Sequence, residues 1–135
     1  PAQGPPPSFR LTQGRSGPPR GRAESLRRRA DFDRVYREGR RWVNPLFVAF
    51  VLPTKEGPLR VGFVASRKVG NAVQRNRAKR LLREVFRRRG PKRELPVDLV
   101  LVARGAILDA GYGSVEAQYL QGVGRWFEKI SRVPG

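Results

Sequence analysis

The stretch Ser66–Arg89, SRKVGNAVQRNRAKRLLREVFRRR, limits the possible folds more than any other part of the chain. At about 100° per residue, Ala78, Leu81, Leu82, Val85 and Phe86 fall on one side of a helix. Asn76, Lys79, Arg80, Arg83 and Arg87 fall within an arc of about 100° on the other, flanked by Arg75 and Arg77. Such a helix has to lay its apolar side on another layer. Gly90-Pro91 stops it, so it runs from about Ala72 to Arg88.

Three runs rich in β-formers supply that layer. They are Leu46–Leu52, closed by Pro53; Leu59–Ala65; and Val97–Ala103, which has too few polar breaks for an exposed edge. Lys55–Pro58 is a turn, so the first two runs read as a hairpin, and Arg40–Val43 adds a short edge strand. A first helix is expected from Ser25, as cap, to Glu38, ended by Gly39, with Leu26, Phe32, Val35 and Tyr36 inward. A last helix, capped by Ser114, extends to about Ser131 and is weakened by Gly122 and Gly124. The order αβββαβα describes an α+β fold, a two-layer α/β sandwich with helices on a mixed sheet, over residues 23–133. Residues 1–22 are Pro/Gly-rich and basic without apolar periodicity, and are expected to form a disordered arm.

Charge narrows the function. The chain carries 29 Lys and Arg against 11 Asp and Glu, a formal +18, and only five of the cations are lysine. Guanidinium forks phosphate and stacks on bases, so the bias suits RNA; codon usage or adaptation to heat accounts for the bias equally well, but not for the net charge, which calls for an anionic cover. The outward cations rise about 5–6 Å per rung, close to the phosphate spacing of one strand. Gly70 and Asn71, just before the helix, permit a turn that exposes backbone N–H groups to phosphate, and an ordinary tight turn fits the spacing equally well. Phe32 and Tyr36, four residues apart, and Phe50 are rings able to line a groove for single-stranded RNA, or to pack as core.

Other classes fall back. Cysteine and histidine are absent, which removes thiolate and imidazole chemistry. The acids are scattered, with Asp31, Asp33 and Glu38 the one local group, so catalysis by this chain alone is not expected. No apolar run reaches the roughly 18–20 residues that span a bilayer, and a cytoplasmic setting is expected. A ribosomal or general RNA-binding protein fits the composition equally well. A DNA-binding helix protein fits less well, because nothing spaces a recognition helix for the major groove.

The run Lys68-Val69-Gly70-Asn71, Arg75-Asn76-Arg77, Lys79-Arg80 and Arg83 resembles the RNR signature of the bacterial ribonuclease P protein family. Asp31-Phe32, Val35-Tyr36, the strand ending in Phe50, Arg60-Val61-Gly62 and Val97–Arg104 support the resemblance, which covers roughly residues 25–130. It implies a mixed sheet with a left-handed crossover, of the kind seen in the second domain of a small-subunit ribosomal protein. It also implies a protein subunit that assists a catalytic RNA, one to one, in cutting the 5′ leader from precursor tRNA. Mg2+ bound by that RNA does the chemistry, and the protein fold needs no cofactor and no protein partner. On this sequence the implied RNA contacts are Arg67, Lys68, Arg75, Asn76, Arg77, Lys79, Arg80 and Arg83, to which the turn and the cationic arc add Asn71 and Arg87. The implied leader cleft is Phe32, Tyr36, Phe50 and Ser66, with Phe50 standing where the family carries Tyr.

Overall fold

The apolar run VDLVLVA becomes the middle of the sheet, as its lack of polar breaks requires. A computed structural model describes residues 23–91 and 95–132. It contains β1 (Ala23–Ser25), α1 (Arg29–Glu38), β2 (Arg40–Val43), β3 (Phe47–Pro53), β4 (Leu59–Val64), α2 (Ala72–Arg89), β5 (Val97–Ala103), α3 (Tyr112–Gln121) and α4 (Val123–Arg132), with a 3-10 turn at Gly105–Asp109. The expected arm at 1–22 lies outside the described residues.

The five strands run in the order β1-β4-β5-β3-β2. β4 and β5 are parallel neighbours, so the chain must cross over between them, and α2 is that crossover. β3 runs antiparallel to β5, and β2 forms an edge against β3. The mixed α+β architecture matches the expectation, but four local readings need correction.

The hairpin does not form: β3 and β4 both pair with β5, which lies between them. Residues 54–58 therefore bridge two strand spacings, about 10 Å, which a five-residue connection covers easily. Ser25 does not cap α1. It belongs to β1, parallel to β4, and Leu26 N–H donates to the Val61 carbonyl (3.0 Å); the helix starts later, after Arg28. The C-terminal helix is two helices, broken where Gly122 sits against the Trp42 side chain. Ser114 lies inside α3, which begins after Gly111.

Alternation along each strand sorts side chains to two cores. On one face α2, α3 and α4 cover Phe47, Ala49, Val51, Leu99 and Leu101. On the other, α1 packs Phe32 and Val35 over Phe50, Val64 and Val100. Among the described residues no helix is long and apolar enough to cross a membrane.

Candidate nucleic-acid interface

α2 begins at a closed capping box. Gln74 N–H donates to the Asn71 Oδ1 (2.9 Å), and Asn71 N–H donates to the Gln74 Oε1 (2.8 Å). Gly70 precedes the cap at φ +149, with the Gln74 amide where a Cβ would stand, so only glycine fits. The Arg75 guanidinium donates back to the Gly70 carbonyl (2.9 Å). Asn71, expected among the RNA contacts, therefore has its side-chain oxygen occupied in starting the helix.

Along α2 the two sides separate as the spacing predicts. Ala78, Leu82, Val85 and Phe86 are buried and Leu81 partly so, while Asn76, Arg77 and Arg80 are exposed. Arg67 and Lys68 are exposed on the approach. Lys79 and Arg83 are half-buried cations, and among the described residues no carboxylate pairs with Lys79, Arg80 or Arg83. Burial lowers the Lys79 pKa, and the charges of Arg83 and Arg75 lower it further. Burial and then Arg80 lower that of Arg83, whose guanidinium lies 5.4 Å over the Phe63 ring. Concentrated positive charge without internal compensation is what an external polyanion would relieve.

Arg87 differs. Although it lies on the same arc, it forms an ion pair with Glu84. Arg77 also has an internal partner, the Leu108 carbonyl (3.4 Å).

The second expected site is only partly open. Phe32 is 2% exposed and Phe50 5%, so both rings are walls of the core beneath α1 rather than free stacking platforms. Phe32 is closed in by Gly62, where a Cβ would come within 2.5 Å of the ring. Tyr36 stands at the rim, edge-on to Phe50 with centroids 5.0 Å apart. Its hydroxyl is buried without a partner among the described residues. Burial, reinforced by Asp33, raises its pKa well above the usual phenol range. The Ser66 hydroxyl accepts from Lys68 N–H (3.3 Å), so by hydrogen bonding it belongs to the α2 approach.

Val48, Leu52 and Val102, partly buried against the same cluster as Tyr36, were not anticipated. The two-residue alternation with Phe50 along β3 carried a signal for Val48 and Leu52. Also unanticipated is the charged anchor of α1. Arg60 holds the fully buried Asp98 through Nε (2.9 Å) and Nη2 (2.7 Å), and reaches the Asp31 carboxylate through Nη1 (3.2 Å). Arg34 joins Asp31 at 3.0 Å. Hydrogen bonding to Asp98 outweighs burial and raises the Arg60 pKa. Asp31 is thus tied into an ion-pair network, and among the described residues no group of three or more His, Cys, Asp or Glu could hold a metal ion.

Residues 21–126 match the sequence model of the ribonuclease P family. The chain belongs to the ribonuclease P protein family. It is 38% identical over 95 residues to the ribonuclease P protein component of Alkaliphilus oremlandii, covering 70% of this chain and 83% of that protein. With the Nitratiruptor component the identity is 41% over 96 residues, 70% of this chain and 84% of the relative. The ribonuclease P protein of Staphylococcus aureus superposes with a TM-score of 0.64 at 31% identity, over 81% of this chain and 95% of that one. That of Thermotoga maritima gives 0.65 at 29% identity, over 83% and 99%. Membership makes the chain a protein component of a ribonuclease P, with a role in tRNA processing.

Proposed function

We propose that the chain binds the catalytic RNA of ribonuclease P through α2 and its approach, and guides the 5′ leader of precursor tRNA along the rim beneath α1. The observation that carries this is the two-sidedness of α2: Leu82 and Phe86 are sealed on the sheet, while Lys79, Arg80 and Arg83 lack a carboxylate partner among the described residues. Arg67, Lys68, Arg75, Asn76 and Arg77 extend the same surface around the start of the helix. Phosphates set against these groups gain paired charge, and Asn76 adds an amide for a base or ribose edge. The leader runs past Tyr36 and the exposed edges of Val48, Leu52 and Val102, with Phe50 and Phe32 supporting it from below.

In this reading Mg2+ held by the RNA activates the attacking water, and the protein supplies cations rather than metal ligands. The protein's part is to neutralise phosphates and to lengthen recognition of the substrate, in the cytoplasm and in a one-to-one complex. Reconstitution tests this directly. Purified chain and a bacterial ribonuclease P RNA, combined at low Mg2+, should cleave precursor tRNA where neither does alone. Cleavage by the chain alone, or no stimulation of the RNA, contradicts the proposal.

A further inference from the structure

We infer that Glu84 sets the end of the RNA-facing surface of α2, acting as an internal stand-in for phosphate that keeps Arg87 and Arg88 out of the interface. The inference rests on the reading of α2 given above. By helical geometry Arg87 is the next rung after Arg80 and Arg83, so the cationic arc should continue to the end of the helix. Its electrostatic surroundings change before that. Glu84, the sole acid between Ser66 and Arg89, accepts from Arg87 Nε at 3.2 Å and from Arg88 Nε at 2.8 Å. Arg88 also lies 5.1 Å over the Tyr112 ring. Arg89 donates to Glu116 of α3 at 2.7 Å, and the Tyr112 hydroxyl donates to the same carboxylate at 3.3 Å. Three successive arginines thus turn to acids and a ring within the molecule, one turn beyond cations that have no such acids.

The pKa directions follow the same division. Glu84 raises the Arg87 pKa and Glu116 that of Arg89, whereas burial and like charges lower those of Lys79 and Arg83. A phosphate brought to Lys79, Arg80 and Arg83 relieves repulsion among three cations. One brought to Arg87 and Arg88 meets a carboxylate that already satisfies them. Exposed ion pairs are weak and exchange in water, so Glu84 acts mainly through its charge on the local field. Glu84 is therefore a specificity-determining residue, because it fixes where along α2 a phosphate chain can lie.

The test measures binding of the full-length chain to a bacterial ribonuclease P RNA transcript across a salt series. Each phosphate contact contributes roughly 0.7–0.9 to the log–log slope. Arg80→Ala should flatten the slope by about one contact, while Arg87→Ala should leave slope and affinity within about twofold of wild type. Glu84→Gln, which keeps the side chain's shape, should steepen the slope by up to about two contacts and tighten binding at low salt. The inference is overturned if Arg87→Ala flattens the slope as Arg80→Ala does, or if Glu84→Gln leaves it unchanged. A wild-type affinity indifferent to salt would remove the α2 reading itself, and this boundary with it.

Discussion

Tyr36 carries a local cost in the free protein. Its hydroxyl is buried without a hydrogen-bond partner among the described residues, a desolvation cost of about 1–3 kcal/mol. Tyr36→Phe should therefore raise stability by about 1 kcal/mol in urea unfolding. The same change should weaken precursor tRNA binding relative to mature tRNA if the leader supplies the missing partner. Equal weakening of both would remove Tyr36 from the leader path. Gly62→Ala should cost about 1–3 kcal/mol of stability, because the new Cβ meets the Phe32 ring. The pair also shows what a linear reading misses. Asp31-Phe32 and Arg60-Val61-Gly62 look like separate pieces of a family pattern, yet they form the two sides of one contact, Asp31 to Arg60 and Phe32 to Gly62. Composition and periodicity carry no signal for such pairing across 29 residues of chain.

At the scale of elements, α2 was the most legible because two periodic signals, apolar and cationic, agree over five turns and Gly90 ends both. Its capping box was signalled by Asn71 and Gln74 at the required spacing but was not read from the sequence, and Asn71→Ala should cost about 1 kcal/mol of stability. The Glu84–Arg87 pair was also visible at i, i+3, but the cationic arc was read from geometry without subtracting its one acid. Elements whose ends depend on distant partners were not legible. β1 exists because β4 offers an edge to Ala23–Ser25, and β3 and β4 are parted because β5 inserts between them. The break between α3 and α4 was signalled by Gly122, which caps α3 and lies beside the Trp42 side chain of β2.

Across the whole molecule, one segment ties the two proposed RNA contacts together. Gly62 and Val64 of β4 floor the α1 side, and four residues after Val64 comes Lys68 on the approach to α2. The Arg60, Asp98 and Asp31 network clamps α1 to this strand and to β5. Arg60→Met should cost about 3 kcal/mol, because Asp98 would remain buried without its bidentate partner, with the urea m-value unchanged. The formal charge of +18 made a polyanionic partner legible from composition, but not which cations face it. That depends on which acids the fold brings beside them. The most direct measurement is the salt dependence of binding to a ribonuclease P RNA, comparing wild type with Lys79→Ala/Arg80→Ala/Arg83→Ala. The triple variant should lose roughly two units of log–log slope; a slope equal to wild type would show that the outward side of α2 does not meet the RNA.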